Sequence, residues 1–552
     1  MAKKSTRRFC CSGTMRISRN PPPVVFQLWF WLGLFWGLAG TINAQAPAGI
    51  SPGLHADIEF ARVGDVSLTL DAFIPEGKGP FSACVLVHGG GFVRGDKQSY
   101  IKPLFEPLGK AGFAWFTINY RLAPGHRWPA CAEDVATAVR WIKAHAKEYQ
   151  IDPGRIALIG ESAGGHLVSW HGAQAHGESA VKAVVSFYAP HDLEFQVRRR
   201  QQLGESMTAL LGLSELNGEA WQALSAVSPA NRVHAGMVPY LLIHGDADAQ
   251  VPYEQSQQFQ ARMQAAGNLC DLLKIPGGAH GMGAWTKLGS DYLQQMLGWL
   301  RNTLDTGGKL SAGQRQEQVR AGLRHPEVAV RRIAVRSLAH SDIADALAEA
   351  TTEALADSDA EVREWAATVL GPRGKLAEAA VPKLIAQLQS DPEKKCRETA
   401  ARALGRIGKA VPEIRDAIGA LEKSGSVDSD SVTRVVALGA LALIFTRDAE
   451  RVEAVANYLV HEDPLTRMKA AHALGYLGER SMAAAPGIAK ALMLAVEPRE
   501  RGYLARSLGQ IGDRAQLPVL LTELAKETHE TVLGEMRGAI KRLGGTVPPG
   551  KP

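Results

Sequence analysis

The chain has 552 residues, more than one ordinary core holds, so two or more domains are expected. With 46% apolar and 21% charged residues it has the composition of soluble globular protein, not of a disordered or fibrous chain. The formal charge of +6 comes from Lys3, Lys4, Arg7, Arg8, Arg16 and Arg19; beyond them basic and acidic residues balance, which offers no case for a nucleic-acid footprint.

The first 46 residues contain no Asp or Glu and read as a targeting segment: a basic stretch, an apolar run over 24–40, then Ala44-Gln45-Ala46 as a small-residue cleavage site. Export to the periplasm or medium is expected. If the segment is not cleaved, residues 24–40 anchor the protein in a membrane. Cys84, Cys131, Cys270 and Cys396 are scattered and read as buried thiols, and no cysteine or histidine cluster implies a metal. No cofactor is expected.

From Ile58 the pattern alternates over 58–63 and 66–74 like two antiparallel strands, followed by a Pro/Gly turn over 75–80. Cys84-Val85-Leu86-Val87 is a continuous apolar run, as in a strand buried on both faces, and it ends in His88-Gly89-Gly90-Gly91-Phe92. Three glycines at the end of a central strand let backbone N–H groups turn toward an anionic oxygen. A strand over 114–118, a helix from Pro129 to Tyr149 with Asp152-Pro153-Gly154 as its stop, and a strand from Arg155 to Ile159 follow. That strand meets Gly160-Glu161-Ser162-Ala163-Gly164-Gly165 and a helix-compatible segment, so Ser162 sits on a sharp strand-to-helix corner. Further strands over 183–187, 239–243 and 272–275, with helices over 254–266 and 291–304, imply a mainly parallel sheet covered on both faces.

Two strand ends complete a chemistry. Strand 241–243 runs into His244-Gly245-Asp246-Ala247-Asp248, and strand 272–275 runs into Gly277-Gly278-Ala279-His280-Gly281. A serine hydroxyl needs a base with a pKa near 7, and the base needs a carboxylate to fix its tautomer. Ser162, Asp248 and His280 supply these in the chain order Ser, Asp, His, the order of the α/β-hydrolase fold.

With HGGGF at 88–92, NYRLAP at 119–124, GESAGG at 160–165, HGDAD at 244–248 and GGAHG at 277–281, residues 57–305 resemble an α/β-hydrolase-fold carboxylesterase of the group that includes hormone-sensitive-lipase-like and feruloyl-esterase-like enzymes. The resemblance implies an oxyanion hole from the N–H groups of Gly90, Gly91 and Ala163, an acylated Ser162, and His280 acting as base and then acid. Because strands begin soon after the expected cleavage site, the domain is closer to the feruloyl-esterase-like type. The segment from His191 to His234, with Arg198, Arg199 and Arg200 near its start, is the candidate lid. The family spacing selects Asp248 as the acid, leaving Asp246 as a turn residue that bonds its own backbone. His88 and His244 are expected to brace loops, and Arg121 to pair with Asp134.

After a linker at 306–313 the composition turns to Ala, Leu, Arg and Glu, and a unit recurs: Val330-Arg331 with Ala334 and Leu338, then Val362-Arg363, Cys396-Arg397 and Thr466-Arg467 with the same followers. Leucines at 338, 370, 404, 441, 474, 508 and 543 mark seven units, a looser match at 428–445 and in the last. The pattern resembles HEAT repeats, pairs of antiparallel helices that stack into a solenoid over 314–545, with a tail at 546–552. The repeated arginines are expected to bond carbonyls or acids of a neighbouring repeat, and the solenoid to bind a protein or polymer partner.

The sequence thus predicts an exported serine ester hydrolase, its α/β-hydrolase domain over 47–305, acting through an acyl-enzyme on small acyl esters or acetylated or feruloylated polysaccharide. The alternatives are a prolyl-oligopeptidase-like peptidase, against which the absence of a propeller-like β-repeat argues, and a non-catalytic adhesion or scaffold protein working through the solenoid.

Overall fold

The computed structural model describes residues 51–174, 177–339, 341–411, 414–445 and 448–548; the expected signal segment, residues 1–46, lies outside them. The alternating segments form a hairpin of β1 (Gly53–Val63) and β2 (Val66–Ile74). The apolar runs become β3 (Phe81–Val87), β4 (Ala114–Ile118), β5 (Ile151–Glu161), β6 (Ala183–Phe187), β7 (Tyr240–Gly245) and β8 (Cys270–Ile275). They join one sheet in the order β1-β2-β4-β3-β5-β6-β7-β8, parallel from β4 through β8 and antiparallel at β1, β2 and the β2–β4 edge.

Both faces of this sheet are covered, which is why its central strands read as near-continuous apolar runs rather than as an alternation. Val85 and Val87 of β3 point into one core, shared with residues of α2 (Ala130–Ala144) and α3 (Ala163–Gln174). Cys84 and Leu86 point into the other, with residues of α1 (Phe105–Lys110) and, at the end of the domain, of α8 (Tyr292–Thr306). Between them in the chain lie α4 (Leu193–Arg200), α5 (Glu205–Leu211) and α6 (Gly218–Ala226), which build the segment over 191–234, and α7 (Glu254–Ala265). Cys84, Cys131, Cys270 and Cys396 are free and buried, as expected. Strand order and crossovers are those of the α/β-hydrolase fold.

Two local readings need correction. The helix expected over 129–149 ends at Ala144, and Asp152-Pro153-Gly154 does not stop a helix: it lies inside β5, where the register against β3 slips between Phe81↔Ile151 and Ala83↔Ile156. The extra residues are taken up as a bulge at the strand entrance, where Pro153 costs no ladder bond in the sheet centre.

The second half is all helix: α9 (Ala312–Leu323), α10 (Val328–Ser337), α11 (Ala348–Ala354), α12 (Ala360–Leu370), α13 (Val381–Ser390), α14 (Lys394–Ala410), α15 (Arg415–Val427), α16 (Ser431–Ile444), α17 (Ala449–Ala456), α18 (Pro464–Leu477), α19 (Ala485–Leu494), α20 (Pro498–Ile511), α21 (Leu517–Lys526) and α22 (Glu530–Arg542). Among the described residues they form seven pairs whose even-numbered helices stack on one another, a HEAT-type solenoid. An arginine ladder stitches the pairs. Arg331, Arg363 and Arg397 reach Asp357, Asp391 and Asp428 of the following pair at 2.7, 2.7 and 3.0 Å while donating back to carbonyls at the preceding turn. Arg467 and Arg501 do the same with Glu500 and Glu527, both at 2.6 Å. In the looser unit Arg434 has no acidic partner among the described residues and bonds the Asp428 carbonyl and the Tyr458 hydroxyl.

The solenoid does not hang free of the sheet domain. Ala265 of α7 belongs to its core, and a Cβ on Gly322 of α9 would stand 2.9 Å from the Ala265 Cβ, so the two backbones are in contact there. Arg262, 8% exposed, donates to Asp192 at 3.1 Å and to Glu327 ahead of α10 at 3.1 Å. Among the described residues no helix is long and apolar enough to cross a membrane.

Candidate active site

Ser162 stands between β5 and α3 at φ +53°, a left-handed conformation that a serine adopts only when its surroundings impose it. They do: its N–H is held by the Phe187 carbonyl at 2.9 Å, and its carbonyl starts α3 through His166 at 3.0 Å. The corner closes only because Gly160 and Gly164 lack side chains. A Cβ on Gly164 would stand 2.1 Å from the Val87 carbonyl oxygen, and one on Gly160 2.3 Å from that of Gly164.

The three residues singled out by the sequence come together from three strand ends. Ser162 Oγ lies 3.1 Å from His280 Nε2, and His280 Nδ1 lies 2.7 Å from Asp248 Oδ2. Asp248 is 7% exposed, and its other oxygen accepts the N–H groups of Gln250 and Val251 at 2.8 and 2.9 Å. Burial opposes its charge, but hydrogen bonds from His244 and His280, the His280 charge and the Val251 N–H outweigh burial and hold the carboxyl well below the usual carboxylate range. An ionised Asp248 assigns the Nδ1–H tautomer to His280 and leaves Nε2 free to accept the serine proton.

Ser162 and His280 open on a cavity of about 670 Å³ that also carries Gly90, Gly91 and Ala163 on its wall. Among the described residues, no protein acceptor takes the N–H of Gly90 or Gly91, and Ala163 is the first residue of α3, where N–H groups have no intrahelical partner. Leu193, Val197, Met207 and Met282 make part of the wall apolar, and Arg200, Gln202 and Glu205 make part of it polar. The segment over 191–234 therefore covers the cavity. Of the arginine triplet near its start, Arg200 lines the cavity and bonds the Gln250 carbonyl at 2.8 Å, whereas Arg198 lies over the Trp221 ring at 4.3 Å and does not line it.

Asp246 does not bond its own turn. Its Oδ1 accepts the Gly277 N–H at 2.7 Å, tying the loop after β7 to the loop that carries His280. His88 and His244 brace loops as expected, through the Gly89 carbonyl and through Ser256 and Val251; His244 Nε2 also stands 3.4 Å from Asp248, a second imidazole on the acid. Arg121 grips Asp134 with several bonds of 2.7–3.0 Å beneath the loops.

One residue of the site was not singled out by sequence. Glu161, 4% exposed, accepts the Gly89 N–H, holds a hydrogen bond with the Tyr188 hydroxyl and feels the His280 charge. Burial raises its carboxyl to about 7. Tyr188 in turn sets its ring edge against His280 with centroids 4.8 Å apart. The signal was its place between Gly160 and Ser162, where the backbone turns the side chain inward. Among the described residues no group of three His, Cys, Asp or Glu side chains could hold a metal.

Residues 70–263 match the BD-FAE family model and residues 317–405 the model for HEAT repeats. Esterase LipC of Mycobacterium tuberculosis is 29% identical over 214 residues, 37% of this chain and 53% of that esterase. The acetylxylan esterase of Xylanibacter ruminicola is 28% identical over 277 residues, 50% of this chain and 54% of that protein. A solved structure of a truncated carbohydrate esterase from gut microbiota is 27% identical, with 46% of this chain and 96% of that one covered at a TM-score of 0.41. The chain spans about half the length of the curated relatives it matches.

Proposed function

We propose that this protein is a serine carboxylic-ester hydrolase working through an acyl-enzyme. The observation that carries the reading is the hydrogen-bonded row Ser162–His280–Asp248 opening on a cavity that also holds three backbone N–H groups. As Ser162 Oγ attacks the ester carbonyl carbon, His280 Nε2 takes its proton, and Asp248 stabilises the imidazolium. The carbonyl oxygen becomes an oxyanion beside the N–H groups of Gly90, Gly91 and Ala163, donors already in place before the reaction. Collapse of the tetrahedral intermediate releases the alcohol, which receives the proton from His280. Water, activated by the same imidazole, then frees the acid.

The names of the matched relatives support carboxylic esters as substrates and, with an acetylxylan esterase among them, acyl groups on polysaccharide as the substrate class. The basic and apolar make-up of residues 1–46 supports export, where such polymers are met. The test is hydrolysis of a p-nitrophenyl acetate ester and of acetylated xylan by the full chain, wild type beside Ser162→Ala. Turnover falling by on the order of a million-fold in the variant is expected. Equal activity in the two proteins refutes the assignment.

A further inference from the structure

The solenoid carries a groove with a marked excess of positive charge. On its even-numbered helices a cavity of about 480 Å³ is lined by Lys394, Lys395, Arg402 and Arg406 of α14, Lys469 of α18 and Arg499 of α20, against two acids, Glu398 and Asp430. Both acids are engaged: Glu398 accepts from Arg402 and Lys469, and Asp430 caps α16 through the Thr433 N–H at 2.8 Å. Arg406 and Arg499 have no acidic partner among the described residues. That excess is local, since the chain beyond residue 46 is formally neutral. His472, at the centre of the cluster, is pushed below its ordinary pKa by burial and then by Arg402, Lys469, Arg406 and Arg506, so the groove already repels one more positive charge.

The same surface is aromatic. Tyr476, 52% exposed, lies under the Arg406 guanidinium at 5.8 Å, and Tyr503 tilts against His472 with ring centroids 6.3 Å apart. Between these walls α16 offers only Val436, Gly439, Ala440 and Leu443. The apolar dip above them holds about 60 Å³, less than half of the roughly 150 Å³ that accommodates benzene, so a protein segment would find no anchor pocket there. Aromatic rings beside guanidinium forks match a chain of sugar rings bearing carboxylates: the tyrosines take the apolar C–H faces of the sugars, and the arginines take the carboxylates two-pronged.

We propose that this groove binds an anionic polysaccharide, one whose sugars carry carboxylates, and so holds the polymer for the ester-cleaving site of the same chain. The choice of a glycan over an acidic protein rests in part on the polysaccharide-ester reading above; the binding test does not.

The probe is a polygalacturonate oligomer, titrated calorimetrically at low salt into the full chain carrying Ser162→Ala, with poly-glutamate as the comparator. Polygalacturonate should bind the more tightly of the two. Tyr476→Ala should weaken it about tenfold, and Arg406→Gln with Arg499→Gln about a hundredfold, the loss expected for two charged hydrogen-bond donors. The groove variants in the Ser162 background should keep p-nitrophenyl acetate hydrolysis if the proposed activity holds, and unchanged far-UV circular dichroism checks their fold in either case. No binding of polygalacturonate overturns the proposal. So does poly-glutamate binding equally well with no effect of Tyr476→Ala, which assigns the groove to an acidic protein. Because binding is read without turnover, absence of esterase activity leaves this result standing.

Discussion

Replacing Glu161 by glutamine isolates the effect of placing an ionisable group beside the nucleophile. In the folded protein the carboxyl keeps its proton until about pH 7, whereas unfolded it releases it near 4.5. The native state therefore binds more protons between those values, and stability falls as pH rises through that window. At 1.36 kcal/mol per pH unit the rise from 4.5 to about 7 costs about 3 kcal/mol, a loss absent below the window and complete above it. A glutamine side chain there has no such proton to lose, and its amide oxygen still accepts the Gly89 N–H, so the variant should gain on the wild type by about 3 kcal/mol between pH 4.5 and 7. Urea unfolding followed by tryptophan fluorescence at several pH values reads this in the right half, because beyond residue 49 every tryptophan except Trp365 lies before residue 305. Parallel pH dependences for the two proteins would refute the reasoning.

Asp248→Asn should lower kcat by about ten-thousandfold by losing the His280 tautomer, while Asp246→Asn, whose amide oxygen still accepts the Gly277 N–H, should be mild; the reverse ranking moves the acid. In the solenoid, Arg467→Ala strands the Glu500 carboxylate at 1% exposure and should cost about 3–5 kcal/mol in thermal or urea unfolding. Arg434→Ala, with no acid to strand, should cost clearly less, and equal losses would mean that the ladder works through packing alone. A chain ending at Thr306 should keep turnover on small esters but melt lower, because Ala261 and Ala265 become exposed; an insoluble or inactive product would show that the halves share an indispensable core.

The sheet was legible because its central strands are covered on both faces and so are apolar without alternation, and the corner at Ser162 because two glycines are sterically required there. The helix over 105–110 was not: Phe105-Glu106-Pro107-Leu108-Gly109-Lys110 spans under two turns and contains Pro and Gly, so no period shows. Asp246 was misread because a carboxylate beside a turn bonds its own backbone unless another loop is brought to it, and Gly277 comes from a different strand. Glu161 escaped notice since the elbow pattern leaves its position open and its burial exists only after β3 is laid alongside β5. Arg434 and Arg501 were within reach: each precedes its repeat leucine by seven residues, as Arg331, Arg363, Arg397 and Arg467 do.

Arg262 joins three parts of the chain at one guanidinium: Asp192 and Asn231 at the two roots of the segment covering the cavity, and Glu327 at the start of the second solenoid helix. The cover and the solenoid are thereby mechanically in series, and a load on the first helix pair is passed to both roots of the cover. The sheet half is accordingly not an interchangeable module. The outer surface of α7 is cut to one neighbour, with small alanines where a helix facing water would carry polar side chains, and a transplanted solenoid would have to bring its own counterparts of Gly322 and Glu327.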